Sequence, residues 1–209
     1  MTTPKLWRGQ TLSDRATARR EEFVAVAEDM LGEQGAAAVT MRAVVRTANL
    51  SPRYFYESFA SREELLRAVY DRAEAAMIDR LATIDTSTDT RTTILTALEE
   101  LRDFFTEDPR RARILLREPL ADDVLREHSS AQVPIFTALM APLLANAAPT
   151  PGEEAAWAIT STALSGALVA LYLDYIDDRL AVAPDRLVDS AVDLVFAICG
   201  LPRTDSGSR

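Results

Sequence analysis

What this chain lacks narrows it first. Its one cysteine, Cys199, excludes an internal disulfide and any multi-thiolate metal site, which fits a reducing compartment. Cys199 closes an apolar run from Leu194 and reads as a small buried hydrophobe. The one histidine, His128, is the sole candidate for imidazole chemistry, and its place beside a helix suggests a partly exposed polar residue. No nucleophile elbow, phosphate loop or dinucleotide glycine pattern occurs. Glu99-Glu100 and Asp177-Asp178 are neighbours in sequence, so their carboxylates point to different faces of a helix and suit solvation, not acid/base work. The expectation is no enzyme: no catalytic residue, no metal, no cofactor. Seven glycines and ten prolines in 209 residues are few, and no stretch alternates as a half-buried strand does. The fold class expected is all-α. The opening MTTPKLWRGQ lacks the apolar run of a signal peptide, so a cytoplasmic location is expected.

What is present centres on residues 39–66, VTMRAVVRTANLSPRYFYESFASREELL. Thr40 can cap a short helix, along which Met41, Val44, Val45 and Ala48 recur at spacings of three and four. Asn49 stands at a sharp turn, where Asn tolerates left-handed backbone. Ser51-Pro52 opens a second short helix as N-cap and first helical residue, because proline's missing N–H has no partner to lose there. Leu50, Phe55 and Phe59 can pack inward while Arg53, Tyr54, Tyr56 and Ser58 face outward or sideways. Ser61 and Glu64 have capping-box spacing and start a third helix. Helix, turn, helix is the grammar of a major-groove DNA reader.

These residues resemble the TetR family of one-component transcriptional regulators. The chain agrees with that family's pattern at Thr40, Ala48, Ser51, Tyr56, Phe59, Ser61, Glu63, Glu64 and Leu65. It departs with Asn49 for Gly, Leu50 for Val, Ser58 for His and Arg62 for Lys; the Ser58 departure removes one common contact to phosphate or base. The resemblance implies an N-terminal helix-turn-helix domain followed by a helical ligand-binding and dimerisation domain. The DNA contacts it implies are Thr40, Arg42, Ser51, Pro52, Arg53, Tyr54, Tyr56 and Arg62. Among them Tyr56 and Arg62 are expected on phosphate, and Arg53 on a guanine edge.

A net charge of −9 looks wrong for a DNA binder until it is divided. Residues 1–62 carry nine basic and seven acidic groups, a net of +2, and residues 63–209 carry fourteen and twenty-five, a net of −11. An acidic body confines DNA to the end that bears the arginines and points itself away from phosphate. The division expected is a flexible basic arm at 1–13, a helix-turn-helix domain at 14–60, a helical domain at 61–201 and a disordered tail at 202–209. In the arm, Arg8 can reach a minor groove or Trp7 can dock on the domain. A first helix is expected over Asp14 to Glu33, burying Phe23, Ala27, Met30 and Leu31 and ended by Gly32 and Gly35.

Downstream, helices are expected over Leu65 to Leu81, Ile94 to Phe105, from Asp108-Pro109 onward, and from Asp122-Asp123 to about Ala147, interrupted or kinked at Pro134 and Pro142. A Thr/Ser/Asp cluster at 83–93 reads as linker. Ala155 to Leu173 is nineteen residues without a charge, long enough to raise a membrane span. Its Thr, Ser and Gly content, its acidic flanks and its lack of basic anchors favour a protein partner over lipid, so no membrane is expected. With the helix expected at Asp185 to Cys199, the resemblance implies a homodimer interface at Ile159, Ala163, Ala167, Ala170, Val188, Val192 and Val195. It also implies an unknown, largely apolar effector, with Phe104, Leu116, Phe136, Met140, Trp157 and Tyr172 as candidate lining. Arg110, Arg111 and Arg113 can face an anionic group of that effector or be salt-bridged. The function expected is a ligand-responsive repressor released from a palindromic operator on double-stranded DNA. The alternative is a helical small-molecule-binding or enzymatic dimer whose N-terminal motif no longer reads DNA.

Overall fold

The computed structural model describes the backbone of residues 12–140 and 154–201, and side chains over 14–132 and 155–201. Residues 1–11 of the expected arm, the tail and Pro142 lie outside the described backbone, and residues 12–13 of the arm belong to the first helix. So do the side chains of Phe136 and Met140. All regular structure among the described residues is helical, as the composition and periodicity anticipate.

Helix α1 (Leu12–Gln34) starts and ends slightly beyond its expected bounds. A 3₁₀ turn at Ala36–Ala38 leads to α2 (Met41–Thr47), α3 (Pro52–Ser58) and α4 (Arg62–Leu81). After α5 (Thr90–Glu107), α6 (Pro109–Ala112) passes through a π-helical turn, Arg113–Arg117, into α7 (Glu118–Ala121). Then come α8 (Asp123–Met140), α9 (Glu154–Ile176) and α10 (Pro184–Cys199). Helix α5 begins inside the expected linker because Asp89 accepts from the N–H groups of Arg91 and Thr92 at 3.1 Å each. Helix α8 runs on through Pro134, so of the two expectations there the interruption does not occur.

The chain forms two compact units, Met1–Ala75 with Arg113–Ser129 and Ala76–Ala112 with Ser130–Arg209. In the first, Phe23, Phe55 and Phe59 meet at the centre, with Phe23 edge-on to Phe55 at 5.6 Å and to Phe59 at 6.5 Å. Ala27, Leu31, Val39, Val44, Leu65, Leu66 and Val69 complete this core, all buried. Met30, expected there, is half-buried. The C-terminal end of α1 is closed by a polar knot. The buried Glu118 carboxylate accepts from the Ala36 N–H at 2.8 Å and from Arg113 Nε at 3.0 Å, and Arg113 Nη1 donates to the Glu33 carbonyl at 2.9 Å. Gly35 lies against that pair with φ 88° and ψ 173°, and a Cβ on it would come within 2.9 Å of both Arg113 Nη2 and Glu118 Oε1. Only glycine suits this backbone and this space.

In the second unit, α5 supplies Ile94, Leu98, Leu101, Phe104 and Phe105, and α10 supplies Leu187, Val188, Ala191, Val192, Val195 and Phe196. Helix α9 closes the core with Tyr172 and Leu173. The Tyr172 hydroxyl donates to the Leu98 carbonyl at 2.7 Å, which satisfies its one polar group. Gly200 ends α10 in left-handed backbone at φ 63°.

Candidate nucleic-acid interface

The geometry of α2, the turn and α3 follows from local chemistry. Thr40 Oγ accepts from the Ala43 N–H at 3.2 Å, so the expected cap forms. Asn49 takes φ 51°, and the chain reverses there. Ser51 occupies the N-cap of α3 with extended backbone, but its hydroxyl makes no cap bond. Ser61 Oγ accepts from the Glu64 N–H at 3.3 Å, while the Glu64 carboxylate takes the Ala60 N–H at 2.7 Å, one residue earlier than a regular capping box would.

Helix α3 is thereby split by chemistry. Phe55 is buried, whereas Ser51, Pro52, Arg53, Tyr54 and Tyr56 are exposed. On α2, Arg42 and, one turn later, Arg46 are exposed. Two arginines of α1 hold α3 in place, a role that their place in a basic run did not reveal. Arg20 donates to the Ser58 carbonyl at 2.7 Å and stacks over Phe59 at 4.1 Å. Arg19 stacks over Tyr54 at 4.3 Å. Neighbours in sequence, they leave α1 about 100° apart, and Arg19 meets Tyr54 near the start of α3 while Arg20 meets its end.

One expected DNA contact is corrected. Arg62 turns inward: its Nε donates to the Val39 carbonyl and its Nη2 to the Ala36 carbonyl, both at 2.6 Å, and Asp122 lies 3.8 Å away. Those carbonyls lie in and just after the 3₁₀ turn between α1 and α2, where the Ala36 carbonyl also accepts from the Val39 N–H at 3.1 Å. The guanidinium is committed to them and is not presented to phosphate.

Residues 23–69 match the family described as bacterial regulatory proteins, tetR family. Residues 23–69 are thus a tetR-family domain. No curated protein matches it significantly in sequence. Similar solved structures include a tetR-family transcriptional regulator from Streptomyces coelicolor, with a TM-score of 0.68 at 17% identity over 87% of this chain and 80% of that one. The regulator FadR from Bacillus subtilis in complex with stearoyl-CoA gives a TM-score of 0.67 at 12% identity, covering 84% and 96%. The multidrug binding protein EbrR complexed with imidazole gives 0.64 at 18% identity, covering 89% and 97%. These likenesses extend the tetR-like fold to the helices beyond the matched domain. The chain is a DNA-binding transcriptional regulator.

Beyond the tetR-family domain, the expected lining residues are placed unevenly. Phe104 is buried edge-on to Phe105 at 5.4 Å and beneath Arg111 at 4.4 Å, and Phe105 in turn meets Tyr172 at 5.8 Å. Trp157 is half-buried on α9, and Leu116 is half-buried in the π-helical turn of the first unit. The nearby arginines have protein partners: Arg110 pairs with Asp108 at 2.8 Å, Arg111 donates to the Phe104 carbonyl at 3.0 Å, and Arg113 belongs to the Glu118 knot. His128 bonds Asp71 at 2.5 Å and lies edge-on to Tyr70.

The expected interface residues separate into two sets. On α9, Ile159, Ala163 and Ala170 are exposed and Ala167 is half-buried. On α10, Val188, Val192 and Val195 are buried within the one chain, where α10 packs on α5 and α9. Those three are corrected to subunit core. The outer face of α10 instead carries Asp185, Arg186, Asp189 and Ser190. Ala155–Ile176 is long and apolar enough to cross a membrane by length and composition, and only 11% of its most apolar stretch is buried.

Proposed function

We propose that this regulator is a homodimeric repressor that holds a palindromic operator and is released by a small, largely apolar effector. One observation carries the reading: α3 is pinned by its aromatic face and by Arg20, and it turns Arg53, Tyr54 and Tyr56 outward. On this reading residues 14–60 are the reading domain and residues 61–201 the effector and dimer domain, in the cytoplasm. Arg53 reads a base edge. Ser51, whose hydroxyl caps nothing, takes the backbone with Tyr56, Thr40, Arg42 and Pro52. The uncovered stripe Ile159, Ala163, Ala167 and Ala170 on α9 meets its own copy, since small residues let two helices approach closely.

Two reading heads fit one operator when they stand about 34–36 Å apart, one helical turn of DNA. An effector that prefers a dimer of another spacing weakens operator binding by its differential affinity alone. The likeness to a chain in complex with stearoyl-CoA supports an apolar effector and makes long-chain acyl thioesters the first probes. The test is a mobility-shift titration of the full chain with palindromic fragments from its own upstream region. A discrete shift that acyl thioester reverses is expected. A folded chain that retards every fragment equally, or none, overturns the reading.

A further inference from the structure

The reading face contains one group of the wrong sign. Glu57 lies one turn after Arg53 on α3 and is the one acidic residue of that helix. Its Oε1 accepts from Arg53 Nε at 2.8 Å, and its Oε2 lies 3.8 Å from Arg19 Nη2. Arg19 is itself held flat over Tyr54, with its Nε buried and unbonded. Arg53 is 84% exposed and Glu57 41%, so the pair sits where DNA would lie, not in the core. A carboxylate beside phosphate costs affinity, so its presence on this face needs a reason.

We propose that Glu57 is a positioning residue for base reading: it holds the Arg53 guanidinium by Nε and keeps Arg53 and Arg19 from settling on phosphate. This rests on the reading that α3 enters the major groove. The bond occupies Nε and leaves both Nη groups as a fork, which is the edge that matches guanine O6 and N7. A long side chain ordered before contact loses less freedom on binding. The negative charge also penalises backbone-only binding, where Arg53 would otherwise act as a mobile cation and the charge of Arg19 would stand uncompensated. Specificity thus rises at the expense of general affinity.

The test selects bound duplexes from a random library at fixed salt, using the full chain and variants. Wild type enriching no sequence would remove the proposed function itself, and is distinguishable from every outcome below. Given an enriched site, Arg53→Ala marks the base pair that Arg53 reads. Glu57→Ala is expected to lower discrimination at that same base pair by about tenfold and to raise affinity for random DNA several-fold. Glu57→Gln keeps an amide oxygen for Nε, so it should retain the base preference while sharing the gain on random DNA. Glu57→Asp keeps the charge but falls a methylene short of Nε, so it should lose the preference without that gain, and it serves if the alanine variant does not fold. In the Arg53→Ala background, Glu57→Ala should change no base preference. A preference lost independently of Arg53 would mean that Glu57 contacts a base itself, and unchanged preference with a lowered Tm would mean that it only clasps α3 to α1. Either result overturns the proposal.

Discussion

Helices α3 and α9 are both uncovered, and in opposite chemistry. α3 shows arginine, tyrosine and hydroxyl groups over a fully buried aromatic anchor, while α9 shows alanine and isoleucine, with Ile159 72% exposed. Polar groups in water are already satisfied, so α3 loses nothing while it waits for DNA. Apolar surface left in water forgoes about 25 cal/mol per Å², so α9 is a face that calls for permanent cover. One helix is built for an exchangeable partner, the other for a resident one.

The sharpest test of that contrast is Ala163→Arg. In one chain Ala163 is exposed, so the subunit should keep its Tm. In a dimer the added cation would be buried without a partner. Sedimentation should show monomers, and operator affinity should fall by about a hundredfold or more as one half-site is lost. A dimer that survives this change sinks the α9 interface.

Gly35→Ala should cost about 3 kcal/mol, because φ 88° is strained for alanine and its Cβ meets the Arg113–Glu118 pair. Chemical denaturation reads this directly, and a loss under 1 kcal/mol would show that the knot gives way easily. Arg62→Met should cost about 1–3 kcal/mol through its two carbonyl bonds. The salt dependence of DNA binding should stay as it was. A salt slope smaller by about one unit per subunit, at unchanged stability, would return Arg62 to the phosphate contacts.

Tyr172→Phe should cost least, about 1 kcal/mol for the bond to Leu98. Burial raises the Tyr172 pKa, and that of Tyr70 in the other unit, above the ordinary phenol value. The unfolded chain then loses these protons first. Stability is therefore full below about pH 10 and falls as pH rises above it. Tyr172→Phe should make that alkaline fall shallower and leave the part due to Tyr70. An unchanged slope would place the hydroxyl in solvent.

The reading domain was legible because its signals are local. Thr40, Asn49, Ser51-Pro52 and Phe55 act on neighbours within a turn or two, and each took its expected place. Arg62 was misjudged because its partners lie 23 and 26 residues away, and a long side chain can turn either way from the same helix position. Val188, Val192 and Val195 show a related limit. Their spacing announces a buried face, but only packing reveals that helices of the same chain, α5 and α9, bury it. Glu118 gave no signal at all, since nothing in its sequence neighbourhood distinguishes a buried carboxylate from a solvated one.

The π-helical turn Arg113–Arg117 makes Glu118 depend on counting. A π-helical turn holds one residue more than an α-helical turn, so Arg113 and Glu118, five positions apart, return to nearly the same side of the helix. There one carboxylate meets both Arg113 and the Ala36 N–H beside Gly35. The widened turn is thus a spacer: its extra residue aims a charge at the end of α1 and adds no length to a helix.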